Sequence, residues 1–143
     1  MTHAPFRSIA VIGAGTMGSG IAAQIANAGH NVLLLDLDAR DSTSKPPAAA
    51  ALDRLLASDP PQLMHKSYVN RITPGIIDED FVKLADCDWI IEAVVERLDI
   101  KKALYKRLDD TITADCIVSS NTSTIPIKLL VEDMPTAFRQ RFA

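Results

Sequence analysis

Three glycines in the spacing G-x-G-x-x-G, Gly13, Gly15 and Gly18, are followed eighteen positions later by a carboxylate, Asp36. Glycines in this arrangement allow a sharp turn and a close backbone approach to a phosphate, and an acid at that distance can accept hydrogen bonds from ribose hydroxyls. The spacing alone is weak, but its structural context is present within about thirty residues. An apolar run, Ile9 to Ile12, precedes it, and a helix-patterned stretch opens it. A second apolar run, Val32 to Leu35, ends at Asp36. The chemistry implied is the binding of a dinucleotide on a βαβ unit.

Each part has a physical task. Gly13 permits the strand-to-helix turn, Gly15 leaves room for a pyrophosphate, and Gly18 lets the helix pack closely on the sheet. The helix is predicted over residues 16–28, with Met17, Ile21 and Ile25 four apart on one face and Gly29 at the C-terminal cap. Its free N-terminal N–H groups and dipole favour an anion, so the loop itself needs no Lys or Arg. The carboxylate of Asp36 would repel a 2'-phosphate, which favours NAD over NADP. A plain tight turn, or a secretory signal beginning near Arg7, accounts for less. Glycines interrupt the apolar run, and a second strand follows it.

Two further polar clusters follow strand-like runs. Glu92, Ala93, Val94, Val95 and Glu96 close one run, with Lys101 in the first turns of the next helix. Glu96 and Lys101 are either a solvated pair or cofactor-side groups, and position alone leaves both readings level. Ser119, Ser120, Asn121, Thr122, Ser123 and Thr124 form a polar tip after the last strand. They could cap a helix starting near Ile127 or donate hydrogen bonds to a substrate oxygen or a ribose; these readings are also level.

The elements that must hold these groups alternate. Residues 89–95 read as a strand, 98–109 as an amphipathic helix carrying Ile100, Leu104 and Leu108, and 117–120 as another strand. Between them and Asp36, residues 42–67 form an irregular or helical excursion with an alanine-rich helix over about 48–57. Residues 68–73 read as a third strand stopped by Pro74 and Gly75, and 80–85 as a short helix. Alternation of β and α segments predicts an α/β fold, a Rossmann-type doubly wound, mainly parallel sheet with ligands beyond the carboxyl ends of its strands.

Composition excludes several classes. A net charge of −3 gives no basic surface for nucleic acid, and 48% hydrophobic residues in 143 suffice for one core. No apolar segment approaches the length of a membrane span, and the reading is a cytoplasmic protein. Cys87 and Cys116 precede apolar runs as small buried side chains, and His3, His30 and His65 lack ligand spacing, so no metal is expected.

The combination of residues 9–18, Glu92-Ala-Val-Val-Glu96 with Arg-Leu-Asp-Ile-Lys101, and Ser120-Asn-Thr-Ser123-Thr resembles the NAD-binding domain of L-3-hydroxyacyl-CoA dehydrogenases. The three motifs occur in family order over nearly the whole chain. The likeness is strongest to long bacterial fatty-acid oxidation proteins in which an enoyl-CoA hydratase-like part lies downstream. It implies oxidation of an L-3-hydroxyacyl-CoA to the 3-ketoacyl-CoA, with hydride passing to NAD. It further implies that Met17 and Asp36 contact the adenosine half, that Val94, Val95, Glu96 and Lys101 line the nicotinamide side, and that Ser123 hydrogen-bonds the 3-oxygen of the acyl-CoA. The family's general base is a His oriented by a Glu, lying just past an Arg-Phe pair like Arg141 and Phe142. The resemblance thus implies a fragment that binds NAD without turnover, lacking that His and the C-terminal helical domain through which the family forms homodimers. Short relatives carry a Lys-rich hairpin for coenzyme A where residues 42–67 here offer only Lys45, Arg54 and Lys66, so no CoA contact is assigned. A dinucleotide-binding module with other chemistry, as in crystallins and sugar-acid dehydrogenases of the same fold, is the alternative.

Overall fold

The computed structural model describes residues 6–143; His3 lies outside them. Five strands, β1 (Ile9–Ile12), β2 (Val32–Asp36), β3 (Ile72–Ile76), β4 (Trp89–Glu92) and β5 (Ile117–Ser120), pair in the order β3-β2-β1-β4-β5. Every pairing is parallel. The register aligns Ile12 with Leu35 and with Glu92, and Glu92 with Ser120, so four strands end at one level. The ladder continues one step further: Gly13 N–H donates to Leu35 C=O, Ala93 N–H to Ile12 C=O, and Asn121 N–H to Glu92 C=O, at 2.7–2.8 Å.

Helices cover both faces. On one lie α1 (Thr16–Asn27) and α2 (Pro47–Ala57), whose Ala22, Ala23, Ala26, Ala48, Ala51 and Leu55 bury Ile9, Val11, Val32 and Leu34. A four-residue helix, α3 (Ile77–Asp80), follows β3. The other face is packed by α4 (Leu98–Asp109), α5 (Ile127–Val131) and α6 (Thr136–Gln140), with Tyr105, Leu108, Leu130 and Phe138 against Ala10, Ile12, Leu35, Ile90 and Val118. The doubly wound Rossmann architecture is therefore present, with a wholly parallel sheet. No helix among the described residues is long and apolar enough to cross a membrane.

Helix α1 ends in a Schellman arrangement, His30 N–H to Ile25 C=O at 3.2 Å and Gly29 N–H to Ala26 C=O at 3.1 Å, with Gly29 at φ +94°. Its apolar residues Met17, Ile21 and Ile25 do not face the sheet; small residues do, and the larger ones line an outer groove with Phe6 and Trp89.

Local structure departs from the sequence reading in three places. The third strand is not 68–73: a 3-10 turn occupies Lys66–Arg71, and β3 runs through Pro74 and Gly75. An edge strand leaves some N–H groups without ladder partners, so a proline that would break a central strand is tolerated there. The helical stretch after it begins three residues earlier than expected, at Ile77, and turns 3-10 over Phe81–Asp86. Strand β4 stops at Glu92 rather than Val95, because the Val94 N–H turns back to donate to the Glu92 carboxylate at 2.9 Å.

Candidate dinucleotide site

At the carboxyl edge of the sheet lies a cleft of about 800 Å³. Its floor is the turn from β1 into α1. Gly13 sits at φ +107°, and a Cβ there would lie 2.4 Å from the Ala93 carbonyl oxygen. Gly18 packs one turn into the helix, where a Cβ would lie 1.7 Å from the Gly13 carbonyl oxygen. Both positions are closed to any side chain. Gly15 is the opposite case: a Cβ would meet nothing within 4 Å, and the residue faces the open cleft. The first N–H of α1 with a main-chain partner outside the regular ladder is Ser19, donating to Gly15 C=O at 2.9 Å, and no side chain caps the helix. The N–H groups before it lack helical partners by geometry, and no acidic residue occupies that first turn.

On the β2 side, the Asp36 carboxylate accepts from Ala14 N–H at 2.6 Å and from Leu37 N–H at 2.7 Å. Arg54, on α2, donates from Nη2 to the Ala14 carbonyl at 2.8 Å, so the Gly-rich loop is held from both ends of one residue. Met17, 59% exposed, stands at the rim.

On the β4 and β5 side, Val94, Val95 and Glu96 line the wall opposite Asn121, Thr122 and Ser123. Glu96 joins the two strand ends, accepting from the Thr122 hydroxyl at 2.6 Å and from Ser123 N–H at 3.1 Å. These two donors, the hydroxyl first, hold the Glu96 carboxyl below the usual glutamate range. Sequence position leaves the 119–124 cluster level between capping and ligand donation. Thr122 takes the turn role, its hydroxyl accepting from Ile125 N–H at 3.2 Å, while Ser123 lines the cleft.

Lys101, which the resemblance implies on the nicotinamide side, adjoins this wall through Glu96. It is fully buried behind the wall, with Nζ 2.9 Å from Glu92 Oε1 and 3.7 Å from Glu96 Oε1. Glu92 itself, unreadable within an apolar run, is also fully buried and gathers Lys101, Tyr105 and Ser120. Its signal in the sequence was the charge itself, since a carboxylate inside an apolar strand demands buried partners.

The empty space over Gly15, the uncapped helix N-terminus and the acid at the end of β2 fit a pyrophosphate and an adenosine ribose. The fold and this cleft define a dinucleotide-binding domain of the Rossmann class. Residues 8–142 match the family model of the 3-hydroxyacyl-CoA dehydrogenase NAD-binding domain. A Rickettsia felis protein described as a fatty acid oxidation complex trifunctional enzyme is 43% identical over 137 residues, 95% of this chain and 19% of that protein. A Deinococcus radiodurans protein described as a 3-hydroxyacyl-CoA dehydrogenase is 40% identical over 95% of this chain and 40% of its own length. The crystal structure of 3-hydroxybutyryl-CoA dehydrogenase from Escherichia coli K12 superposes with a TM-score of 0.79 at 31% identity, covering 98% of this chain and 29% of that one. The chain belongs to the 3-hydroxyacyl-CoA dehydrogenase NAD-binding domain family. It spans between 19% and 40% of the length of the two relatives named above.

Proposed function

We propose that this chain is the NAD-binding domain of a cytoplasmic enzyme that oxidises L-3-hydroxyacyl-CoA to 3-ketoacyl-CoA in fatty-acid β-oxidation. One observation carries the reading. A single cleft joins Gly13, Gly15 and Asp36 on one side of β1 to Val94, Glu96 and Ser123 on the other, the span a dinucleotide needs to cross the strand-order reversal.

Within it, Gly15 and the start of α1 receive the pyrophosphate, and Gly13 and Gly18 shape that loop. Asp36 accepts from the adenosine ribose, and Met17 packs on the adenosine half. Val94, Val95 and Glu96 form the nicotinamide side, with Lys101 behind them. When bound, NAD supplies the hydride acceptor. Ser123 donates its hydroxyl to the 3-oxygen of the acyl-CoA and orients the C3–H bond toward the cleft. The hydroxyl proton passes to the histidine that the family resemblance implies. His30 lines the outer groove and His65 contacts Ser67, so neither serves. A homodimer built through the remainder of the protein belongs to the same reading.

The test is NADH consumption with acetoacetyl-CoA, run on this chain and on the protein at its natural length. The expected result is NADH binding by both and turnover by the longer protein. Turnover by the 143-residue chain, or inactivity of the longer protein with NADH binding retained, overturns the assignment.

A further inference from the structure

Residues 42–67 carry three cations, Lys45, Arg54 and Lys66, and none has a part in the function proposed above. Lys45 pairs with Asp53, and Lys66 opens the 3-10 turn before β3. Arg54, exposed on α2, is in no ion pair among the described residues. Its guanidinium instead crosses 40 residues of sequence to donate from Nη2 to the Ala14 carbonyl at 2.8 Å. Ala14 is 2% exposed, and neither residue lines the cleft. A buried carbonyl needs a partner, which accounts for a bond at that place but not for what its direction does.

The rest of the loop is already fixed. Gly13 N–H donates to Leu35 C=O at 2.7 Å and Ala14 N–H to the Asp36 carboxylate at 2.6 Å. Gly15 C=O accepts from the Ser19 N–H at 2.9 Å and from the Ser19 hydroxyl at 2.7 Å. The Gly15 N–H is the group left over, with no partner among the described residues. It shares a peptide with the Ala14 carbonyl, and that peptide is trans, since the cis bond among the described residues is Asp59–Pro60. In a planar trans peptide the C=O and the N–H point in opposite directions. Arg54 draws the carbonyl toward α2 and thereby turns the Gly15 N–H away from α2, where Gly15 borders the cleft.

We propose that Arg54 is a positioning residue, which holds the 14–15 peptide so that the Gly15 N–H is preset for a phosphate oxygen without itself touching that phosphate. The inference rests on the NAD reading above and deepens it, since it gives the excursion between β2 and β3 a part in cofactor binding. A preset donor needs no ordering when the anion arrives; a peptide that can turn spends part of the binding free energy on being ordered. Without Arg54 the 14–15 peptide loses the bond that sets its direction. The 13–14 peptide keeps its anchors, Leu35 and Asp36, so adenosine, which shares the loop through Asp36, is weakened less than any ligand that carries phosphate.

Binding of NADH, ADP and adenosine to the parent chain, to Arg54→Met and to Arg54→Gln is measured by NMR titration of the Gly15 amide, with thermal unfolding alongside. Methionine has no donor and glutamine is too short to reach the carbonyl, so either variant carries the test if the other does not fold. The expected result is about fivefold weaker binding of NADH and of ADP, the size of one net hydrogen bond, with adenosine within about twofold of the parent. The guanidinium also brings a charge, so the titrations are repeated in about 1 M salt, where the screening length falls to about 3 Å. A parent-to-variant gap that persists there supports positioning through the peptide; a gap that closes shows attraction by charge alone and overturns the proposal. Equal weakening of adenosine and ADP, the sign of general damage to the loop, also overturns it. A parent chain that binds neither NADH nor ADP overturns the NAD reading and this inference with it. A parent that binds both, with the variants unchanged, overturns the inference alone.

Discussion

The Asp36 carboxylate accepts a hydrogen bond from the Ala14 N–H at 2.6 Å, linking the end of β2 to the middle of the Gly-rich loop. In the function proposed above, the same carboxylate also accepts from the adenosine ribose. Asp36→Asn keeps the shape and loses the charge. About tenfold weaker NADH binding is expected, the scale of one hydrogen bond to a charged group, together with a smaller preference for NADH over NADPH. Calorimetric titration with both cofactors checks this; an unchanged preference would show that Asp36 does not face the ribose.

Gly13→Ala and Gly15→Ala separate conformation from ligand space. At Gly13, φ +107° and the nearby Ala93 carbonyl oxygen oppose a side chain. The backbone conformation alone costs about 1–3 kcal/mol in a non-glycine residue. Gly15 has φ −69° and open space, so its alanine variant keeps stability within about 1 kcal/mol and loses NADH affinity instead. Thermal unfolding and NADH fluorescence titration of both variants decide it. Equal losses of stability would contradict the assignment of Gly15 to the cleft.

Glu96 gives a pH dependence with a definite sign. Its folded-state carboxyl lies below its ordinary value of 4.5, through the Thr122 hydroxyl and the Ser123 N–H. The stabilisation it brings is fully present above that ordinary value and is lost as pH falls through the lower folded value. Thr122→Val removes the larger cause, so the Glu96 midpoint should move up toward 4.5. The Ser123 amide resonance, followed by NMR against pH, reports both midpoints; an unmoved midpoint would disprove the contact.

Tyr105 donates to Glu92 at 2.6 Å, and burial followed by that carboxylate pushes its phenol far above its usual range. At neutral pH it is therefore a neutral donor. Tyr105→Phe deletes the donor inside a buried polar cluster and should cost about 2 kcal/mol without changing the fold. Denaturant unfolding measures the cost, and a loss below half of that would mean that another donor replaces the phenol.

How much of this was legible in the chain depends on how local each signal was. Strands β1 and β5 and helix α4 appear with the boundaries their apolar runs and periodicity imply. Strand β3 departs from its expected bounds because Pro74 and Gly75 look like breakers to any local reading; only their place at the sheet edge makes them harmless. Helix α6 carried no local signal strong enough to be read. The Gly-rich loop and Asp36 could be found because a single ligand dictates their spacing. Glu92 could not, since its partners lie 9, 13 and 28 positions away and meet it only after the sheet has formed. Lys101 shows the converse, a recognisable motif position whose side chain points into the protein rather than into the cleft.

Helix α1 meets the sheet through Gly18, Ala22, Ala23 and Ala26, all buried. Because these contacts hold no spare volume, the depth of the helix is set by single methyl groups. A residue such as Ala26, remote from the cleft, therefore acts as a shim. Thickening it would lift the carboxyl end of the helix off the sheet and tilt the amino end beside Gly15, so the interior of this domain sets the geometry of the cleft as well as supporting it.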